Sequence, residues 1–128
     1  MKMNSLFLTD GYKTGHHQQY PKGTNTVYSN WTPRGNKYAP RGSFGQQMVI
    51  QWLADHFDEN FFSKPKEEVC GQMKTELSMY LNTDYDVTHF EELHDLGYLP
   101  IEVKSIEEGI EVPLRVPMLT VQNTGNFG

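Results

Sequence analysis

The sequence predicts an α+β fold: an irregular N-terminal segment, about three helices, then a small antiparallel sheet. Three observations carry this. Residues 1–43 are rich in Gly, Pro, Asn, Thr and Tyr; residues 44–98 place apolar side chains at helical spacing; from residue 100 the period changes to alternation. Helices and strands are therefore segregated along the chain, which argues against a doubly wound sheet.

In the first region Thr26 to Thr32 is the one good strand candidate, β-branched and aromatic, and Pro33-Arg34-Gly35 breaks it. Tyr38 to Ser43, with Pro40 and Gly42, reads as a loop. The first helix is expected from about Phe44 to Phe57, with Phe44, Met48, Val49, Trp52, Leu53 and Phe57 on one face. A second begins near Ser63, a candidate N-cap, with Pro65 in its first turn and Val69, Met73, Leu77, Tyr80 and Leu81 as its stripe. A third starts at Thr88. Thr88 and Glu91 have capping-box spacing, Phe90, Leu93 and Leu96 form its apolar side, and Gly97 stops it. Ile101, Val103 and Ser105 then alternate with Glu102 and Lys104, and Ile110, Val112, Leu114 and Val116 alternate after Glu107-Glu108-Gly109. That pattern predicts two antiparallel strands joined by a Gly-containing loop, the second demoted to an edge by Pro113 and Pro117. Met118 to Val121 continues toward a third strand, and Asn126-Phe127-Gly128 reads as an ending cut short.

The chain is 128 residues long, one domain's worth, with a net charge of −5. An acidic balance argues against a general nucleic-acid binder. No apolar run approaches the roughly 20 residues that cross a bilayer, and the N-terminal run Leu6-Phe7-Leu8 is too short for a signal peptide. One cysteine, Cys70, leaves no internal disulfide and reads as a small helix residue. A cytoplasmic location is expected.

The densest chemical cluster is Thr9-Asp10-Gly11-Tyr12-Lys13-Thr14-Gly15-His16-His17-Gln18-Gln19-Tyr20-Pro21. Read residue by residue it stays open. Asp10 suits a helix N-cap, Tyr12 suits a core or interface aromatic as well as a binding face, and adjacent His16 and His17 diverge on a helix and do not readily share a metal. Phosphate-loop, dinucleotide, nucleophile-elbow and metalloprotease signatures are missing from the sequence.

The block Thr-Asp-x-Tyr-Lys-x-x-His-x-x-Gln-Tyr-Pro, Thr9 to Pro21, is similar to the opening motif of nicotinamide phosphoribosyltransferases. The likeness continues in order through Val27-Tyr28-Ser29, Arg34, Phe44-Gly45 with Gln47, Leu99 to Lys104, Glu108-Gly109 and Thr120 to Thr124. The resemblance implies that residues 1–128 form the N-terminal domain of a type II phosphoribosyltransferase, ending before its α/β barrel. It implies transfer of a ribose 5-phosphate unit from phosphoribosyl pyrophosphate to nicotinamide in NAD salvage, with Mg2+ accompanying the pyrophosphate. It assigns Tyr12 to the nicotinamide ring, Asp10 to the same pocket and Arg34 to the phosphate subsite, in a homodimer where this segment serves the opposite subunit's site. The barrel of the family carries the catalytic histidine, so no catalytic residue or metal ligand is expected within this segment, and the isolated chain is expected to be inactive.

Gly11 departs from the family's small polar residue, and Gly35 to Ser43 is shorter than in animal relatives, which suggests a bacterial or phage branch. The alternatives are a nicotinate phosphoribosyltransferase, a dimerisation or docking module of a split enzyme, and a dead remnant. An exposed apolar patch would mark the docking reading.

Overall fold

The computed structural model describes residues 3–35 and 41–125. Tyr38, Pro40 and the Asn126-Phe127-Gly128 ending lie outside the described residues. The fold is α+β, and it divides into two units: Met1–Tyr20 with Trp52–Leu99, and Pro21–Gln51 with Pro100–Gly128. The first is helical and the second carries the strands.

In the helical unit the N-terminal segment is more ordered than its composition suggests. Asn4 opens a 3-10 turn at Ser5–Phe7, its side chain accepting from the Leu6 amide at 3.1 Å and donating to the Val69 carbonyl at 2.9 Å. Ser5 donates to the His56 carbonyl at 2.9 Å. A second 3-10 helix follows at Gly11–Gln19. Helix α1, Gln46–Phe57, runs into a π-helical turn at Asp58–Phe62, and the division between units falls within it. The π turn rotates the chain so that Phe61 is fully buried and Phe62 half-buried.

Helix α2, Lys66–Leu81, lays Val69, Cys70, Met73 and Leu77 into the core with Leu6, Phe61, Tyr85 and Val87. Its start corrects the Ser63 cap. Pro65 occupies the capping position, while Ser63 donates back to the Glu59 carbonyl at 2.8 Å, because the π turn has already captured it. Glu67 and Glu68 favour the positive end of the helix, and Asn82, at φ 52°, ends it left-handed. Burial pushes the Cys70 thiol up to about 11, so it packs as an inert small side chain.

Helix α3, Thr88–Leu96, stops at Gly97 as expected, with φ 78°. The capping box does not form. Val87 stands at the cap, and the amide and hydroxyl of Thr88 both donate to the Asp86 carboxylate, at 2.9 and 2.6 Å. Phe90, Leu93 and Leu96 are half-buried.

In the other unit, β1 (Tyr28–Trp31), β3 (Ile101–Ser105) and β5 (Leu119–Asn123) make an antiparallel sheet in the order β1-β5-β3, while β2 (Arg41–Gly42) pairs antiparallel with β4 (Glu111–Val112). The expected hairpin between residues 101–105 and 110–116 is thus corrected. β3 takes β5 as its partner, with Val103 opposite Val121, and β4 goes to β2. The physical reason lies at Pro113 to Pro117. These two prolines cannot extend a ladder, and Arg115 turns the chain at φ 67°, so the alternating pattern there never becomes a long strand. The loop reading is corrected at Arg41 and Gly42, which form β2, and Ser43 after it stays irregular.

The apolar side of α1 is only partly covered: Leu53 and Phe57 are half-buried, while Phe44 before the helix is exposed at 87 % and Met48 at 72 %, with Val49 and Trp52 also open. A helical period therefore named the right face without telling whether this chain covers it.

Candidate functional site

Asp10 and Tyr12 belong to the helical unit, at the head of the Gly11–Gln19 helix. Asp10 stands at the N-cap position without a side-chain cap bond. Its carboxylate instead pairs with the Lys13 ammonium at 2.8 Å, and that pair raises the Lys13 pKa. Tyr12 is 70 % exposed. Its ring meets His16 edge-on with centroids 5.7 Å apart, and the Lys13 ammonium lies 5.6 Å from its centre. One face of an aromatic ring with a cation and a carboxylate beside it can receive a flat polar heterocycle.

Gly11 has a local cause. A Cβ there would stand 3.0 Å from the Tyr80 hydroxyl oxygen, tighter than ordinary contact. A side chain at position 11 would shift the exposed Tyr80 ring by a few tenths of an ångström.

Arg34 belongs to the strand unit. It follows the exit of β1, where the Arg115 amide donates to the Pro33 carbonyl at 2.8 Å and the Met118 amide to Trp31 at 2.9 Å. The backbone before Arg34 is thereby held while its side chain is exposed. A planar guanidinium on a fixed stem suits phosphate oxygens.

Sequence reasoning missed Tyr85 and His89. Both sit behind the Gly11–Gln19 helix: the Tyr85 hydroxyl donates to the Thr14 carbonyl at 2.6 Å, and His89 stacks on His17 with centroids 4.1 Å apart and planes at 24°. No local pattern signals them, because the Tyr85 contact spans 71 residues of sequence. Burial, and next the facing His17, hold the His89 pKa down from 6.5 to about 4, against a smaller opposing pull from Asp86. The unfolded chain therefore binds more protons between about pH 6.5 and about 4, so His89 favours the fold above that range and its contribution is lost as pH falls through it. The expected loss is of order 2 kcal/mol once partial solvent screening of the ring is allowed for. His89→Phe, compared with the parent by urea unfolding across that range, is expected to flatten the decline; an unchanged slope would exclude His89 as its source.

Among the described residues no group of three or more His, Cys, Asp or Glu side chains could hold a metal ion, and no helix is long and apolar enough to cross a membrane.

The model of the nicotinamide phosphoribosyltransferase N-terminal domain matches residues 4–103. The nicotinamide phosphoribosyltransferase of Acinetobacter baylyi is 41 % identical over 133 aligned positions, covering 96 % of this chain and 26 % of that enzyme. Those of Xanthomonas campestris pv. campestris and Mycoplasma genitalium are each 25 % identical, over 94 % and 98 % of this chain and 25 % and 31 % of the relative. The chain thus spans between a quarter and a third of these curated relatives. The class is the N-terminal domain of a glycosyltransferase-type enzyme family. Within that class, the chain belongs to the nicotinamide phosphoribosyltransferase family. The nicotinate alternative is not favoured, since these relatives carry the nicotinamide name.

Proposed function

We propose that this segment supplies the ring-binding and phosphate-binding side chains of an enzyme that makes nicotinamide mononucleotide and pyrophosphate from nicotinamide and phosphoribosyl pyrophosphate. The observation that carries the reading is the outward, 70 % exposed Tyr12 ring in the stretch that matches the family's N-terminal domain. In the reaction the nicotinamide ring nitrogen bonds to C1 of the ribose as the bond from C1 to the pyrophosphate oxygen breaks. Positive charge develops on the ribose and negative charge on the departing pyrophosphate, so positioning and charge stabilisation are the protein's tasks. Tyr12 gives the pyridine ring a flat face, Asp10 lies beside it, and Arg34 meets phosphate oxygens. Mg2+ would arrive with phosphoribosyl pyrophosphate as part of the substrate. Among the described residues no His, Cys, Asp and Glu side chains gather into a metal site.

The segment serves a homodimer, placing Asp10 and Tyr12 in the opposite subunit's site. The exposed apolar residues of α1 support packing against further protein.

The 128-residue chain alone is expected to form no nicotinamide mononucleotide above background. A chimera in which it replaces the matching 26 % of the Acinetobacter baylyi enzyme is expected to turn over nicotinamide in preference to nicotinate, because a site paired to a neutral amide leaves a carboxylate poorly matched. Turnover by the chain alone, or a preference for nicotinate, would overturn the reading.

A further inference from the structure

Tyr12 rides on a 3-10 helix of nine residues, and 3-10 runs beyond about four residues are uncommon because their hydrogen bonds are poorly aligned. Thr14 is the one buried residue of this helix, so only a few contacts, through Thr14 and His17, tie it to its neighbours.

Those neighbours gather on one side. With three residues per turn, Thr14 and His17 stand above one another while Tyr12 projects about a third of a turn from them. The Thr14 hydroxyl donates to the Gly11 carbonyl at 2.8 Å, and its own carbonyl receives the Tyr85 hydroxyl at 2.6 Å. His17 Nδ1 stands 3.1 Å from the same carbonyl, and the His17 ring lies on His89. Tyr85, 4 % exposed, meets the rings of His17 and His89 edge-on at 6.3 and 6.2 Å. Phe90 backs His89 with centroids 3.9 Å apart. A phenylalanine at position 85 would fill the core as well; what the hydroxyl adds is the bond to Thr14.

We propose that Tyr85 and His89 are positioning residues for Tyr12. Tyr85 anchors the helix through the Thr14 carbonyl and His89 through the flat face of His17, and together they set the direction in which the Tyr12 ring is presented. Without them the helix would sample other orientations, and a ring ligand would have to order it on binding. The consequence for nicotinamide rests on the reading of Tyr12 above; the anchoring of the helix does not.

The test is backbone 15N relaxation on the whole chain, as parent, Tyr85→Phe, His89→Ala and His89→Phe. Tyr85→Phe and His89→Ala are expected to lower the order of the Gly11–Gln19 amides and leave those of Val69–Leu77 unchanged, while His89→Phe, which keeps a flat ring, restores the parent values. Unchanged order in Gly11–Gln19, or equal loss in Val69–Leu77, would overturn the anchoring. In the chimera, Tyr85→Phe is expected to raise the nicotinamide KM about fivefold, the net worth of one hydrogen bond, with kcat and the phosphoribosyl pyrophosphate KM within about twofold. Tyr12→Ala in the same chimera separates the two ideas. If it leaves the nicotinamide KM unchanged, the reading of the site fails and the relaxation result alone decides the anchor. If it raises that KM while Tyr85→Phe does not, the positioning role fails.

Discussion

Tyr12→Ala, made in a chimera that carries this segment, is expected to raise the nicotinamide KM between about 5-fold and 150-fold, since stacking of a flat base on an aromatic side chain is worth about 1–3 kcal/mol. The ring is exposed and its loss opens no core cavity, so folding should be unaffected and the change confined to the ligand that stacks. Arg34→Ala is the contrasting case. A guanidinium paired with phosphate contributes about 1.5–3 kcal/mol, and its removal should weaken phosphoribosyl pyrophosphate while the nicotinamide KM stays close to the parent value. Steady-state kinetics with each substrate varied in turn separate the two. Small and equal effects of both substitutions on both substrates would mean that neither side chain reaches its proposed ligand.

Phe61→Ala should have the largest effect on stability. Phe61 is fully buried, and its ring centroid lies 5.0 Å from Phe62, 5.2 Å from His94 and 5.9 Å from Phe57, each edge-on. Removing such a side chain loses its transfer free energy and leaves a cavity, together about 3–5 kcal/mol. Against a total of roughly 5–15 kcal/mol for ordinary domains, much of the helical unit's stability would go. Urea unfolding followed by far-ultraviolet circular dichroism measures the change; a loss below about 1 kcal/mol would show that the pocket around Phe61 collapses to fill the space.

Much of the helical half was legible. Val69, Met73 and Leu77 recur at helical spacing and are buried, and Gly97 stops α3 in the left-handed conformation that its missing Cβ permits. The caps were less legible. Ser63 and Thr88 are both good cap types, yet each hydroxyl binds elsewhere, to Glu59 and Asp86, because a partner nearer in the folded turn competes for it. Of the candidate site, Asp10, Tyr12 and Arg34 came from a motif and not from periodicity. Tyr85 and His89 came from neither, being brought to the Tyr12 helix by the packing of the link between α2 and α3 and of the first turn of α3.

The sequence by itself determined the segregated α+β order, the Val69, Met73 and Leu77 part of the α2 stripe (Tyr80 and Leu81 of the same stripe are exposed) and the motif that places the chain in its family. These depend on residues a few positions apart, where spacing and local chemistry suffice. Tertiary structure alone decided that β3 pairs with β5, that Met48, Val49 and Trp52 on the apolar side of α1 stay open, and that Tyr85 and His89 stand behind the Tyr12 helix. Those outcomes depend on which distant surfaces meet, and alternation or helical period is equally consistent with several partners until the whole chain has packed.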